Sequence, residues 1–180
     1  YDPDRLVNYE LGAKTSWLDD RLIVNVTGFR VDWKDMQVSA ASTSGAWRFN
    51  TNAGRARING AEAEITARPL TGVYISVTGA FVDAHLFEDQ RNPYGVATGA
   101  AGGRLPLTPR WTGGVFALYR WEPWDDVHAT ARFDYSYVGA SASEFRPSQI
   151  TYQKQPPHGL VDIQLGAELG AAEAYVRITN

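Results

Sequence analysis

The sequence predicts an all-β fold, an antiparallel transmembrane β-barrel wall of about eight strands, and three observations predict it. Polar and apolar side chains alternate over runs of ten or more residues, longer than the five or six residues of a typical soluble strand. Short turns alternate along the chain with long polar connections, as membrane barrels require at their two ends. Tryptophans stand near the predicted strand ends, where the aromatic belts of such barrels meet the membrane interface.

Each predicted strand is a segment in which apolar residues recur at every second position. In order, these segments are residues 6–17, 22–38, 61–68, 73–81, 111–121, 127–139, 159–169 and a last run that reaches residue 180. Turn residues separate the members of each hairpin near residues 19, 70, 124 and 171. Long polar connections are predicted near residues 39–56, 85–110 and 140–157. The short turns are expected to face the periplasm and the long loops the outside.

The second predicted strand, residues 22–38, is the one irregular case. Its apolar residues keep one phase as far as Val26 and take the opposite phase from Phe29 onward. A bulge at Gly28 would account for the change, because glycine within a strand often marks a bulge. The alternative is that residues near this end face a filled interior.

Tryptophan placement agrees with the barrel interpretation. Trp17, Trp111, Trp121 and Trp124 stand near strand ends, where the amphipathic indole ring suits a membrane interface. In a soluble β protein the same residues would belong to a core or to hairpins. The length of the strands favours the membrane interpretation.

Composition excludes several classes of protein. The 17 Lys and Arg against 20 Asp and Glu give a net charge of −3 and no basic stripe, which argues against nucleic-acid binding of the usual basic kind. The absence of cysteine excludes disulfides, thiolate metal sites and a cysteine nucleophile. The mean hydropathy of −0.31 and the lack of any apolar run near about 18 residues exclude a transmembrane helix. Alternating barrel strands have such an average hydropathy.

Several segments, in order, carry a resemblance to a known family. They are residues 8–14 (NYELGAK) with 29–37 (FRVDWKDMQ), residues 52–54 and 59–64 (NAG, NGAEAE), residues 105–110 (LPLTPR) with Tyr119, and residues 176–180 (VRITN). Together they resemble the C-terminal barrel region of TonB-dependent outer-membrane receptors over essentially the whole chain. The chain lacks the aromatic residue that ends this family's pattern.

The resemblance implies a 22-strand type barrel that encloses an N-terminal plug domain. Residues 1–180 are then expected to be the C-terminal portion of that barrel, about eight strands of the larger wall, with the plug domain absent. The implied function is part of a Gram-negative outer-membrane active transporter for scarce nutrients, most often ferric siderophores. Haem, cobalamin and carbohydrate are the other cargoes. The implied partners are outer-membrane lipid, the TonB complex through the missing plug, and a ferric siderophore or similar small ligand, with no nucleic acid and no cofactor.

Loop residues supply the candidates for ligand contact, because aromatic and arginine side chains often carry recognition. These candidates are Trp47, Arg48, His85, Arg91, Tyr94, Arg104, Arg146 and Tyr152. His85, at a loop margin, can be interpreted as a contact for haem or a metal chelate, or as a solvated histidine.

No catalytic or metal site is predicted. The three histidines do not stand at metal-ligand spacing, so no protein-bound metal is expected. Ser136, His128 and Asp134 share one strand face, but they lie too far apart along the strand for a catalytic triad. The chain is therefore expected not to be an enzyme.

Charged residues at alternating strand positions are expected to point into a wet lumen, where they would contact a plug or solvent. They are Glu62, Glu64, Arg68, Arg132, Asp134, Asp162 and Glu168.

Two rival structures make different predictions. A complete eight-stranded barrel with a structural or adhesive role requires the first and last strands to pair. A soluble carbohydrate-binding or hydrolytic β domain requires Val7, Ile65, Phe133 and Ile163 to be buried between two sheets.

Overall fold

The computed structural model of the chain describes residues 3–41, 48–52, 54–91, 97–148 and 150–180. In these segments the regular elements are all β-strands. They are β1 (Arg5–Trp17), β2 (Leu22–Lys34), β3 (Gln37–Ala41), β4 (Arg48–Asn52), β5 (Arg55–Ala67), β6 (Val73–Leu86), β7 (Gln90–Arg91), β8 (Ala97–Gly99), β9 (Trp111–Trp124), β10 (Val127–Val138), β11 (Ser141–Ala142), β12 (Lys154–Gln155), β13 (His158–Leu169) and β14 (Ala172–Thr179). The described residues contain no helix of the length and apolar character needed to cross a membrane.

Eight long strands form one antiparallel sheet in the order β1-β2-β5-β6-β9-β10-β13-β14. Each long strand pairs with the next long strand along the chain, so the four short turns lie at one end of the sheet and the three long connections at the other. The predicted all-β antiparallel fold and the alternation of short turns with long loops are confirmed. Ribbons β3–β4, β7–β8 and β11–β12 extend from the sheet within the long connections, where the sequence predicted only polar loop.

The sheet is open. Strands β1 and β14 are its two edges, and all residues of both strands belong to the described part of the chain, in which they do not pair with each other. A closed eight-stranded ring requires that pairing. The rival prediction of a complete small barrel is therefore wrong for this structure.

One face of the sheet carries an apolar band that lies next to the short turns. The register aligns Ala13 with Val26, Val26 with Ala63, and Ala63 with Gly79. The same face reaches β14, where Ile163 pairs with Ile178. Within the described residues no second sheet covers this face. Ile65, Phe133 and Ile163 remain 40%, 37% and 38% exposed, so the rival prediction of a soluble sandwich is wrong.

Aromatic residues border the apolar band on both sides, and on the side of the long connections the ring of Phe81 packs against that of Trp111 at a centroid distance of 4.7 Å. Trp17 and Trp124 end β1 and β9, and the ring of Tyr119 stacks on that of Trp121 at a centroid distance of 4.8 Å. A one-residue bulge between Trp121 and Trp124 puts both indoles on the apolar face, because Ala129 pairs with Trp121 and Val127 with Trp124. The bulge contains Pro123, whose missing N–H suits an interrupted ladder.

The opposite face is polar, as the sequence predicted. The register places six of the seven predicted lumen charges on it, within β5, β10 and β13. They are Glu62, Glu64, Arg132, Asp134, Asp162 and Glu168. Arg68 follows the end of β5, and its guanidinium lies 5.7 Å from the ring centroid of Tyr74, a residue of this face.

The predicted bulge at Gly28 is wrong. Strand β2 pairs residue for residue with both β1 and β5 from Leu22 to Lys34. The apolar residues change phase because, near the loops, they face a packed interior, the alternative that the sequence allowed. Trp33 packs there against a core of Met36, Ala56 and Leu86.

The cluster of Met36, Ala56 and Leu86, which we call the loop core, holds the long connections against the sheet. Leu105 and Phe145, from two different connections, pack against the same cluster. Backbone bonds reinforce the contact, since Leu86 N–H donates to the Gly103 carbonyl at 2.8 Å and Leu105 N–H to the Ala84 carbonyl at 3.0 Å. The long connections are thus folded back onto the end of the sheet.

Candidate functional site

The principal candidate site is a cavity of about 520 Å³ between two of the long connections, and we call it the loop cavity. Its walls come from residues that follow β6 and from residues between β10 and β13. The lining residues are Arg104, Leu105, Pro106, Thr108, Ala140, Ser141, Ala142, Glu144, Phe145, Tyr152, Lys154, Gln155, Pro156 and Pro157. A volume of this size suits a small ligand.

Backbone pairing holds the two walls together. Leu107 N–H donates to the Ala142 carbonyl at 2.8 Å and so joins the two connections directly. Ribbon β11–β12 pairs Ser141 with Gln155 and Ala142 with Lys154, which fixes the second wall. Across the loop beyond it, Ser143 N–H donates to the Gln153 carbonyl at 3.0 Å. The cavity therefore has walls held by hydrogen bonds.

The charged groups of the loop cavity are Arg104, Lys154 and Glu144, two cations and one carboxylate. Thr151 Oγ1 donates to Glu144 Oε1 at 2.6 Å, and Arg104 Nη2 donates to the Thr108 carbonyl at 3.0 Å. Burial, assisted by the nearby Arg110 guanidinium, lowers the pKa of Arg104 from its usual value, although an arginine stays protonated in proteins. The cavity has a net positive charge.

Two of the eight predicted ligand-contact residues, Arg104 and Tyr152, come together in the loop cavity. His85 does not line the loop cavity; its Nε2 lies 2.8 Å from Asp83 Oδ1 and its Nδ1 lies 2.9 Å from the Gly102 carbonyl oxygen.

The other five candidates are not among the described residues that line the loop cavity. Arg91, in ribbon β7–β8, donates to Asp89 Oδ2 at 3.0 Å, and Arg146 is an exposed loop residue. Arg48 belongs to β4 by its backbone. Trp47 and Tyr94 lie outside the described residues.

The sequence did not identify Glu144, Phe145 and Lys154 as site residues. Lys154 and Gln155 enter the cavity because they pair with Ser141 and Ala142 in a two-residue ribbon. Such a short ribbon has no detectable hydrophobic period. A segment that contains both a lysine and a tyrosine between two predicted strands was the only available signal.

The polar face carries a second arrangement of charges across β10, β13 and β14. Arg132 forms a bidentate pair with Asp134 at 2.6 and 3.0 Å, and Arg177 Nε donates to Asp162 Oδ2 at 2.8 Å. The two aspartates stand directly opposite each other in the register and line a cavity of about 400 Å³. Each carboxylate has its own arginine, which offsets the repulsion expected between facing like charges.

Three arginines gather on the polar face beside the short turns. Arg21, Arg68 and Arg120 line one cavity of about 620 Å³ together with Tyr74 and Phe116. Arg68 N–H donates to the Arg21 carbonyl at 2.7 Å, so these two residues stand directly opposite each other.

The catalytic and metal interpretations receive no geometric support in the described residues. His128 and Asp134 are six residues apart on β10, about 20 Å at the usual rise per residue. The described parts of the chain also contain no group of three or more His, Asp or Glu residues that could hold a metal ion.

Known structures resemble this sheet with its folded-back loops. The ferric yersiniabactin uptake receptor FyuA from Yersinia pestis superposes with a TM-score of 0.74 at 22% identity, over 98% of this chain and 24% of that chain. The ferric-catecholate import receptor Fiu from E. coli gives a TM-score of 0.70 at 18% identity, over 100% of this chain and 24% of that chain. The pyoverdine outer membrane receptor FpvA from Pseudomonas aeruginosa gives a TM-score of 0.68 at 18% identity, over 99% of this chain and 26% of that chain.

These similarities show the fold, and the chain spans about a quarter of the length of the solved receptors that it matches. The family assignment comes from the sequence as a whole. Residues 1–180 match the family described as TonB dependent receptor-like, beta-barrel. The chain therefore belongs to the TonB-dependent receptor β-barrel family.

Proposed function

We propose that this chain is the C-terminal part of the barrel of an outer-membrane importer in a Gram-negative cell. The importer takes up a ferric siderophore or a similar chelate, with energy delivered by TonB through a plug domain. The observation that carries the proposal is the loop cavity, which lies at the long-loop end of a barrel-type sheet and is lined by cationic and aromatic side chains. The named neighbours, receptors for ferric yersiniabactin, ferric catecholates and pyoverdine, support the same cargo class.

The chemistry of the loop cavity suits an anionic chelate. Arg104 and Lys154 supply positive charge, and Tyr152 and Phe145 supply aromatic surface. Arginine is the side chain best adapted to bidentate contact with carboxylate oxygens. A single carboxylate, Glu144, already has a hydroxyl donor in Thr151 and leaves the cavity with net positive charge.

The two faces of the sheet suit the other proposed partners. An exposed apolar band between two rows of aromatic residues is the surface that a barrel presents to outer-membrane lipid. The polar face, with its arginine–aspartate pairs, suits the lumen and a plug within it. We propose transport as the only activity, with no catalytic step.

The test uses the complete receptor that contains this segment, expressed in cells that lack their own siderophore receptors. Uptake of radiolabelled iron is measured with a panel of ferric siderophores, haem, cobalamin and a neutral oligosaccharide, in cells with and without TonB. We expect uptake of at least one ferric siderophore that disappears without TonB. Uptake restricted to the neutral oligosaccharide, or uptake unaffected by loss of TonB, would contradict the proposal.

Variants of the loop cavity locate the binding site. We expect the double variant Arg104→Gln/Lys154→Gln to raise the Kd for an anionic ferric siderophore at least about tenfold, since two charge-assisted contacts would be lost. Arg55→Gln is the matched control, because Arg55 lies near the same end of the sheet, pairs with Glu88 at 3.4 Å and does not line the cavity. Equal affinities for both variants would exclude the loop cavity as the ligand site.

A further inference from the structure

Three arginines stand around one cavity of about 620 Å³ on the polar face beside the short turns, and we call Arg21, Arg68 and Arg120 the arginine cluster. We propose that the arginine cluster is a second binding site for the cargo, one that takes an anionic chelate with carboxylate or catecholate oxygens as it leaves the lumen. The inference rests on the proposed function in two respects, that the cargo is a ferric chelate and that the short turns face the periplasm.

The described residues that line this cavity include three cations and no carboxylate. The other lining residues are uncharged, and Thr71, Tyr74, Phe116 and Leu118 are among them. The loop cavity carries two cations and one carboxylate, so it is the less positive of the two cavities. A cleft lined by one sign of charge concentrates ions of the opposite sign. The cavity at the arginine cluster therefore attracts anions, and its volume suits a small ligand.

The three guanidinium groups have no carboxylate partner among the residues that the structure describes. Arginines farther along the same face are paired, as Arg132 is with Asp134. Glu122 lines a neighbouring cavity with Arg120, but its carboxylate lies 3.2 Å from His128 Nδ1. Like charges around one cavity repel each other. An anion held between the three arginine side chains would offset that repulsion, which favours binding at this place.

Backbone hydrogen bonds position the three residues of the cluster. Arg68 N–H donates to the Arg21 carbonyl at 2.7 Å, and Arg120 N–H donates to the Gly72 carbonyl at 2.9 Å. Gly72 has a φ of +79°, and a Cβ at this position would clash with the Arg120 carbonyl oxygen. The turn between β5 and β6 is therefore packed directly against β9. Three arginines from separate parts of the chain are brought to one cavity by these contacts.

Two aromatic rings line the cavity beside the arginines. Tyr74 and Phe116 meet edge to face at a centroid distance of 5.8 Å. The Arg68 guanidinium lies 5.7 Å from the ring centroid of Tyr74, a distance at which a cation and an aromatic ring attract each other. This contact leaves the N–H donors of Arg68 available for anionic oxygens. The site thus offers cationic donors for the oxygens of a catecholate and aromatic surface for its rings.

The arginine cluster and the loop cavity lie at opposite ends of the sheet. Along β9, Arg120 stands about 26 Å from Thr112 at the usual rise per residue, and the loop cavity lies beyond Thr112. The polar face between the two ends carries carboxylates, among them Glu62 and Glu64 of β5. Passage through a membrane protein requires binding that is favourable on entry and weak enough for release, and successive sites meet both conditions. A cationic site at each end of the polar face suits stepwise passage of an anionic chelate.

The test places a fluorescent label at the rim of the cavity in the complete receptor, purified in a neutral detergent. Leu70→Cys is the labelling site, because Leu70 lines the cavity, is 70% exposed and belongs to a segment without native cysteine. Any cysteine elsewhere in the receptor is first replaced by serine. A bound ferric chelate quenches a nearby label, so quenching reports binding at this cavity and not at the distant loop cavity. The probes are a triply anionic ferric tricatecholate, an uncharged ferric trihydroxamate and inorganic phosphate.

We expect saturable quenching by the ferric tricatecholate. Binding of the uncharged ferric trihydroxamate is expected to be at least about tenfold weaker, since charge-assisted contacts supply the affinity. The cluster variant Arg21→Gln/Arg68→Gln/Arg120→Gln is expected to raise the Kd for the ferric tricatecholate at least about tenfold, because those contacts are lost.

The matched control variant is Arg30→Gln/Arg55→Gln/Arg110→Gln. It removes the same charge from the end of the sheet beside the loops, where each of these arginines pairs with a carboxylate and lines no part of the cavity. A change in Kd of less than about twofold is expected, because salt screens charges at that distance. If the cluster variant does not fold, Arg120→Gln alone is measured, since the backbone bond to Gly72 does not involve the side chain. At least about a twofold rise in Kd is then expected.

Four results would overturn the inference. The first is a lack of quenching in the wild type, as when an acidic segment of the plug occupies the arginines. The second is equal affinity for the two ferric chelates, and the third is equal Kd values for the cluster and control variants, or an unchanged Kd in Arg120→Gln. The fourth is displacement of the ferric tricatecholate by an equal concentration of inorganic phosphate, which would indicate a site for any free anion.

Uptake by cells separates this inference from the proposed function. TonB-dependent uptake of ferric siderophores without quenching of the label would support the proposed function and overturn the inference. Quenching by the ferric tricatecholate without TonB-dependent uptake of any ferric siderophore would contradict the proposed function and leave the binding site at the arginine cluster supported.

Discussion

The two halves of strands β2, β5 and β6 place their apolar side chains on opposite faces. In the half beside the short turns, Val26, Ile65 and Val77 lie on the open face and are 45%, 40% and 39% exposed. In the half beside the loops, Ala56 and Leu86 lie on the other face and are buried in the loop core. The backbone register is continuous through both halves. Because the register is the same in both halves, the surroundings of each half decide which face of the strand is apolar.

The reversal has a simple physical origin. Side chains alternate across a strand regardless of their environment. Beside the short turns, the open face suits lipid and the other face suits a wet lumen. Beside the loops, the open face carries charged side chains such as Arg30, Asp32 and Arg57, and the other face is covered by the long connections. Burial under the connections, in place of the lipid contact proposed for the other half, explains the apolar residues there.

The largest expected effect comes from Leu86, which is 2% exposed at the centre of the loop core. We expect Leu86→Ala to lower the free energy of local opening of the loops by about 3 to 5 kcal/mol, the usual cost of a large cavity in a packed core. Native-state hydrogen exchange of the complete receptor measures this opening. Leu107→Ala is the matched control, since Leu107 is 60% exposed, and less than about 1 kcal/mol is expected. Equal effects would mean that the loops do not form a packed core.

The next effect concerns the open face at the middle of the apolar band. We expect Val77→Arg to destabilise the receptor in phospholipid vesicles by about 2 to 4 kcal/mol, because an arginine would stand near the centre of the hydrocarbon. The neighbouring variant Thr78→Arg puts the same charge on the polar face and is expected to cost less than about 1 kcal/mol. Unfolding in urea measures both. A larger loss for Thr78→Arg would reverse the assignment of the two faces.

The smallest effect is at Gly28, where the apolar phase changes. An added Cβ would meet nothing within 4 Å, and the register there is regular. Since glycine within a strand costs about 0.5 to 1 kcal/mol relative to alanine, we expect Gly28→Ala to be neutral or to stabilise the receptor by up to that amount. Urea unfolding checks the sign. A clear destabilisation would instead support the hypothesis of a bulge at Gly28.

Much of the fold was predictable from local patterns. The long strands were found because alternation over ten or more residues, as in β10, is specific to an extended chain with two different faces. The ribbons β7–β8 and β11–β12 were not found, because two or three paired residues have no measurable period. Their pairing depends on backbone contacts between segments that only the completed sheet brings together.

The candidate site was predictable only in part. Arg104 and Tyr152 were identified by residue type and loop position, and both line the loop cavity. His85 met the same criteria but contacts Asp83 and does not line the loop cavity. Residue type and loop position cannot distinguish these cases, because the groups that surround a side chain at a strand end depend on contacts between distant segments.

The sequence by itself determined the long strands, the short turns and long loops that alternate between them, and the alternation of polar and apolar positions within each strand. These features follow from local spacing. Only the tertiary structure decided which face each apolar run covers near the loops, and which charges meet across β2, β5 and β6. Those outcomes depend on the register between strands and on loops that fold back onto Leu86 and Ala56. Contacts between residues distant in the chain cannot be derived from the period of any single strand.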